Sequence, residues 1–536
     1  MEPINRIIVK EYIILFVTCL FTTSFLSAQT TTSKVQLSLL GTRSWIRVDI
    51  DADMRGLLGS KIYCSATNKR PTVPSSLIEQ GSRRYYIEQV LPETTYYIWL
   101  ESASGETLAS AKTYTTKNWV LDDAELAELQ RNPSSGAVPP GMEIFWQDEF
   151  NDQLLNRNKW TTNYFSSLNY LNKTSKQEML DGQLPQPAYT MDGSAINLYI
   201  NDTLPKRIFA EGGNQKISSI QTYDWRTNEN LLDNSRGGYF EVKVRRNRSG
   251  NPKGTNTAFW FDSPGPDIRY YLQKGSEVDG IKGIRPKGQL FEIDVFEYIT
   301  AQFVIHGDVD EKGVFQHNLA THIAEGYEHV GKWVTHGVLW TPTSIKHYIN
   351  GDLIKEYANK NNIYSPNHFM NVFLGAYGSE GGVNMEVDYI RAYSWPLKNE
   401  NELPNPDFEA KGGLPPWEGE ARLEVGSGEG GSHAAALPVG KQIEQYVYLD
   451  PQQAYLLEYW GKSSSIELEI DDVTPVSGAL TTIRRQPQLL SGNGSQHRIA
   501  FNTGTEVAAN KKIVRILFKN VGQETAYLDN ITIEKK

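Results

Sequence analysis

Residues 292–297 read Glu-Ile-Asp-Val-Phe-Glu, three carboxylates inside a run otherwise made of strand formers. Phe291, Ile293, Val295, Phe296, Tyr298 and Thr300 favour an extended, half-buried backbone. A carboxylate loses hydration when a strand packs into a fold, so acids persist in such a strand only where something requires them. Side chains two residues apart share a face, which puts Glu292 and Asp294 together. Glu297 stands at odd spacing from both, and a regular strand would turn it away. One extra residue at Val295-Phe296, a β-bulge, would rotate it back beside them. The ordinary alternative is an acidic strand on a solvated face; the interleaved apolar residues speak against it.

Two carboxylic acids facing one cleft are the equipment of glycoside hydrolysis. In this reading Glu292 is the nucleophile and Glu297 the general acid, then general base, while Asp294 holds the nucleophile's geometry and charge. Repulsion among the three raises one pKa, so that an acid stays protonated near neutral pH.

The strand resembles the catalytic signature of glycoside hydrolase family 16 in its bulged form, found in laminarinases, agarases, porphyranases and carrageenases. The flanks agree. Phe145-Trp146-Gln147-Asp148-Glu149-Phe150-Asn151 is similar to the family's opening strand, and Asn158-Lys159-Trp160 follows. Gly238-Tyr239-Phe240-Glu241-Val242-Lys243, Ala258-Phe259-Trp260, Trp340-Thr341-Pro342 and Val387-Asp388-Tyr389-Ile390-Arg391-Ala392-Tyr393 match later motifs in the family's order. The resemblance spans residues 143–396 and implies a concanavalin A-like β-jelly roll. It also implies substrate contacts at Trp260, which would stack on a sugar, and at His306 and His336; Tyr298, just after the catalytic strand, joins them. From the same resemblance Asp388, with groups near Glu149, marks a structural calcium site away from the cleft; no cofactor is expected for catalysis. Two departures bear on substrate. The Trp-Pro of laminarinases before "AFW" is replaced by Asn256-Thr257, and 371–382 matches loosely, which puts a plain β-1,3-glucan in doubt.

At 536 residues the chain exceeds one core. The expected class is all-β, with three β-sandwich domains. Residues 1–28 read as a secretory signal: Arg6 and Lys10 precede an apolar run from Tyr12 to Leu20, and Leu26-Ser27-Ala28 offers a cleavage site. The localisation expected is therefore secreted, periplasmic or cell-surface. Cys19, after Val17-Thr18, sits in a poor lipobox and leaves a membrane tether open. Cys64 then stands alone in the mature chain, without a disulfide partner, as a small core residue.

Residues 31–117 contain short alternating strands at 34–39, 45–50, 61–64, 85–90, 96–100 and 112–116, the pattern of a sandwich. Val90-Leu91-Pro92-Glu93-Thr94-Thr95-Tyr96 resembles the corner of fibronectin type III domains, with Trp45 as core tryptophan. Residues 118–142 form a linker, with a short helix over 121–129 and a Pro/Gly-rich stretch at 133–141. Residues 400–536 resemble a carbohydrate-binding jelly roll whose first and last segments pair; Trp417, Tyr446, Tyr448, Tyr459 and Trp460 are its candidate sugar contacts.

Net charge −10 gives no reason to expect nucleic acid or an anionic membrane as partner. The expected partner is a polysaccharide, and the expected state a monomer. Lys243, Arg245, Arg246, Arg248 and Lys253, with Arg269, Lys274, Lys282, Arg285 and Lys287 in the long 262–288 connection, would suit a sulfated galactan if they faced the cleft. As a solvated face they would carry no such meaning. The expectation is thus a secreted retaining endo-β-glycanase acting on β-1,3 or β-1,4 linkages of a glucan or galactan. The competing readings are a non-catalytic glycan-binding protein, or an endo-β-galactosidase acting on sulfated galactan or mucin-type glycan. Whether water or a sugar accepts the glycosyl group is open.

Overall fold

The computed structural model describes residues 35–41, 45–52, 54–78, 84–88, 90–91, 93–115, 132–162, 188–210, 213–224, 229–247, 255–263, 275, 277–278, 281–282, 292–297, 301–307, 320–358, 365–398, 401–475, 478–505 and 511–536. The signal segment, Cys19, the 121–129 helix and most of the 262–288 connection lie outside them. Among the described residues there is no α-helix, only two 3-10 turns at Met54–Leu57 and Glu429–Gly431. The class is all-β, as the alternation of apolar and polar residues dictates. No helix of the described residues is long and apolar enough to cross a membrane.

The N-terminal sandwich packs a three-stranded sheet (Gln36–Gly41, Trp45–Asp51, Arg84–Glu88) against a four-stranded one (Ser76–Leu77, Lys61–Ser65, Thr95–Glu101, Thr107–Tyr114). Ile46, Val48, Ile62, Ile98 and Leu100 alternate inward and fill the gap between them. The Leu91 amide donates to the Tyr96 hydroxyl at 2.9 Å, closing the expected corner. Trp45 begins its strand, but its side chain lies outside the description. Cys64 packs half-buried against this core, and burial pushes its thiol up to about 12, the reverse of a nucleophile's shift.

In the central jelly roll, one sheet runs in the order Asp352–Ala358, Ser344–Ile349, Val334–Thr341, Gly238–Arg246, Val383–Ser394, Ile196–Ile200, Tyr189–Met191, with Glu143–Asp148 paired to Val383–Ser394. The other runs Arg207–Ala210, Gly213–Gln221, Asn371–Gly378, Thr255–Asp262, Glu292–Glu297, Gln302–His306, Ala320–Ile323. Phe240, Val242, Trp340 and Val387 from the first sheet meet Phe259, Phe261, Ile293 and Leu374 from the second in one continuous core. The second sheet's far face carries Glu292, Asp294 and Glu297; the first sheet's far face carries ion pairs.

The 132–142 stretch is not the free linker its composition suggests. Ser135 bonds Glu241, Ser134 bonds Tyr393, and Ala137, Val138 and Met142 pack against Tyr239 and Leu339. Beside it Glu149 and Arg391 form a bidentate ion pair at 2.7 and 2.8 Å, both side chains almost wholly buried.

The C-terminal sandwich holds two five-stranded sheets. Its first and last segments touch as expected: Ile531 donates to the Pro406 carbonyl and Glu402 to that of Ile533, both at 2.8 Å. The expected sugar-binding aromatics mostly do not face solvent. Trp417 and Tyr459 belong to the core, Trp460 is covered by Gly494, and the Tyr448 hydroxyl donates to the Pro366 carbonyl of the central domain at 2.9 Å. Only Tyr446 of the five stays half-exposed. Large aromatics are the best space-fillers a small sandwich has, and packing claims them first.

Arg391→Met should strand Glu149 as an unpaired buried carboxylate and lower stability by about 3–5 kcal/mol, read as a reduced midpoint in urea unfolding of the full chain.

Candidate active site

The pairing of the catalytic strand slips where the sequence asks for a bulge. Against Thr255–Asp262, Phe259 opposes Phe296 while Trp260 opposes Asp294, so Val295 has no partner of its own. Against Gln302–His306 the register shifts between Asp294 and Glu297. Val295 and Phe296 both enter the core as consecutive residues, which a regular strand forbids, and Glu297 returns to the face that carries Glu292 and Asp294.

The acids are held from both flanks. The Asn256 amide donates to Glu297 Oε1 at 2.9 Å, and His306 Nε2 shares a 3.1 Å hydrogen bond with Asp294 Oδ2. Burial, then the neighbouring Asp294 charge, raises Glu297 to about 8 against the Asn256 hydrogen bond. Burial raises Glu292 well above the usual carboxylate range, followed by Asp294 and Asp262. Carboxyl groups this close share protons rather than ionise independently, so the cluster holds at least one at neutral pH. Glu292, Asp294 and His306 are also the single trio among the described residues with metal-ligand spacing.

Trp260 is where expected, across from Asp294, but nearly buried. Phe373 stacks on one indole face at 4.1 Å and 12°, and the indole nitrogen donates to the Tyr377 hydroxyl at 3.3 Å. Tyr377 in turn donates to Ser219 at 3.0 Å. These contacts lock the orientation of the indole.

Other expectations are corrected. His336 lies on Val334–Thr341 of the opposite sheet and points inward, 4.6 Å from Phe296, behind the catalytic strand. It joins His329 and His347 in the interior, with half-buried His322 at their edge: His322 bonds His347 at 2.9 Å, and the ring of His329 meets that of His336 at 5.2 Å. Alternation places His336 on an apolar face without revealing that this face is the core. Tyr298 lies outside the described residues. The calcium site does not fit the residues present. Both oxygens of Glu149 are engaged by Arg391, and Asp388 carries Lys243 at 2.7 Å and Asn132 at 3.2 Å. Calcium needs six or more oxygens around it, and here cations already occupy the carboxylates.

The described basic residues also avoid the cleft. Lys243 and Arg245 pair with Asp388 and Glu386 on the far face of the first sheet, and Arg246 is buried against Thr257 at 3.0 Å. Lys282 is exposed, while Arg248, Lys253, Arg269, Lys274, Arg285 and Lys287 lie outside the described residues.

Asp262 was missed. It ends the Thr255–Asp262 strand opposite Glu292, fully buried, and its parity with Trp260 is the signal that could have found it. Asn256, noted only as a departure from laminarinases, turns out to hold the candidate acid.

Residues 233–391, within the central sandwich, match the family model described as Glycosyl hydrolases family 16. No curated protein matches the chain. Among solved structures it is similar to the catalytic domain of an endo-1,3-beta-glucanase (laminarinase) from Thermotoga petrophila RKU-1. There 13% of residues are identical over 48% of this chain and 98% of that one, with a TM-score of 0.33. A GlcNAcα1-4Gal releasing endo-β-galactosidase from Clostridium perfringens gives 14% identity over 72% of this chain and 98% of that one, with a TM-score of 0.35.

The buried histidines generate an acid-stability prediction. Burial holds His336 down at about 3 and His322 at about 4, so the unfolded chain takes up protons first as pH falls below 6.5. Their contribution is complete above pH 6.5 and should be lost on the way to pH 4, by on the order of a few kcal/mol. Glu297 works in the opposite sense, favouring the folded state as pH falls from about 8 toward 4.5. Urea unfolding across pH 4–7 should show a steeper loss of stability on acidification in Glu297→Gln than in wild type, and a shallower one in His336→Leu.

Proposed function

We propose that the central domain is a retaining endo-β-glycanase, with Glu292 as nucleophile and Glu297 as acid and base. The observation that carries this reading is the bulged strand, which gathers three carboxyl groups on one face and keeps Glu297 protonated up to about pH 8. In the first step a Glu292 oxygen bonds to the anomeric carbon as the glycosidic C–O bond breaks, and the Glu297 proton passes to the departing oxygen. In the second, Glu297 takes a proton from water, the water oxygen attacks the same carbon, and the Glu292 carboxylate leaves. Asp294, tied to His306, holds Glu292 in place and balances its charge as the ester forms and breaks. Trp260 supplies a rigid platform beside the cut.

The substrate favoured here is a neutral β-linked glucan or galactan. Gly213–Gln221, Asn371–Gly378, Thr255–Asp262, Glu292–Glu297 and Gln302–His306 contain one lysine and no arginine, and that lysine, Lys216, bonds Asp202 at 3.1 Å. Among the residues of these described strands acids outnumber bases, which disfavours a sulfated chain. The 1–28 segment supports export, the Tyr96 corner supports a fibronectin type III-like spacer, and the C-terminal sandwich is read as a docked carbohydrate-binding-type fold.

The test is reducing-sugar release from laminarin, mixed-linkage glucan, agarose, porphyran, carrageenan and a mucin-type glycan. Activity should fall on neutral members of the set and drop by more than about 1,000-fold in Glu292→Ala; turnover that survives this substitution sinks the mechanism. The rate should also decline as pH rises through about 8, where Glu297 loses its proton, and Glu297→Gln should lack that limb.

A further inference from the structure

Four side chains line up across four strands at the level of Glu292. Register places Asn371 opposite Asp262, Asp262 opposite Glu292, and Glu292 opposite His306. Asn371 and Asp262 are fully buried, and Glu292 and His306 are within a tenth of it. Asn371 begins its strand on the face shared with Phe373, opposite core Val372. Its side-chain oxygen accepts from the Thr222 amide at 3.0 Å and from the Thr222 hydroxyl at 3.2 Å, which fixes the amide plane. The other end, Asn371 Nδ2, has no hydrogen-bond partner among the described residues, and neither does Glu292 Oε2. Buried donors and acceptors left this way are costly unless a ligand completes them.

We infer that Asp262 and Asn371 read the hydroxyl groups of the sugar held over Glu292, making them specificity residues of the glycanase. The inference rests on the hydrolase reading and adds to it the chemistry of one subsite. Neighbouring strands stand about 4.8 Å apart, close to the width of a pyranose ring. A ring whose anomeric carbon sits over Glu292 therefore reaches across Asp262 toward Asn371. The carboxylate accepts from one hydroxyl and the amide donates to its neighbour, a complementary pair for adjacent free hydroxyls. A sulfate or carboxylate at either position would meet Asp262 and Glu292 together and be rejected. A sugar lacking one hydroxyl would leave a buried polar group unpaired, the situation in which hydrogen-bonding sites discriminate most strongly.

The experiment pairs residue changes with substrate changes. Wild type, Asp262→Asn, Asn371→Ala and Glu292→Ala are assayed on 2,4-dinitrophenyl β-laminaribioside and β-lactoside. The same glycosides deoxygenated at single ring hydroxyls of the sugar next to the leaving group complete the set. On the glycoside that wild type cleaves, one deoxygenation should lower kcat/KM by about 100-fold. Asp262→Asn or Asn371→Ala should lower it comparably on the parent glycoside, yet be nearly insensitive to that same deoxygenation. A residue that only shifts Glu292's protonation would give additive losses on every substrate. Additive losses for both variants, with turnover still dependent on Glu292, overturn this inference alone. No Glu292-dependent turnover on any glycoside counts against the hydrolase reading and removes this inference with it. Wild type on the deoxygenated series provides the same test without any substitution: indifference to every ring hydroxyl refutes the subsite even where a variant does not fold.

Discussion

Val295 has no partner across the strand, and that one surplus residue reconciles two demands that a regular strand cannot meet together. The sandwich holds Ile293, Val295 and Phe296 in its core, while Glu292, Asp294 and Glu297 share the opposite face. With strict two-residue alternation one of the acids would have to enter the apolar interior, at the cost of its hydration. The bulge absorbs the mismatch in the backbone, leaving both the core and the acid row intact.

The acid row is then stabilised by neutral means. Asn256 donates to Glu297, His306 bonds Asp294, and shared protons relieve the repulsion that Lys or Arg would otherwise cancel. The aromatic floor complements this. Trp260, Phe373, Tyr377 and Ser219 are linked by stacking and hydrogen bonds into one preordered unit.

Much of this was legible in the residues, because it depends on local periodicity. The parity of Glu292, Asp294 and Glu297 demanded a bulge, and short alternating runs announced sandwiches with strand positions close to those observed. What escaped notice depends on which face meets which. His336 and Trp260 are both apolar-flanked aromatics on strands, yet one faces the core and the other the cleft, a matter settled only by how two sheets stack. Asp262 and Asn371 lie more than a hundred residues apart and become neighbours only through strand order. The expected calcium site failed because partner choice is three-dimensional: Arg391 and Lys243 reach Glu149 and Asp388 first. Composition likewise mistook 132–142 for a tether, since Pro and Gly mark irregular backbone whether or not it is pinned.

The seam between the central and C-terminal sandwiches bears on how this chain divides into parts. Lys511 and Asn367 exchange two hydrogen bonds, Tyr448 holds Pro366, and Arg236 binds the Tyr448 carbonyl and Glu402. Asn234, two residues before Arg236, grips Met370 through both its amide and its carbonyl, and Met370 precedes Asn371. The backbone entering the cleft's first row is thus clasped from outside by another sandwich. The join near residue 400 separates two folds in the sequence without separating them mechanically. A lineage that swapped the C-terminal unit for another would also be altering one wall of the catalytic chamber, so the two should be inherited as a single piece.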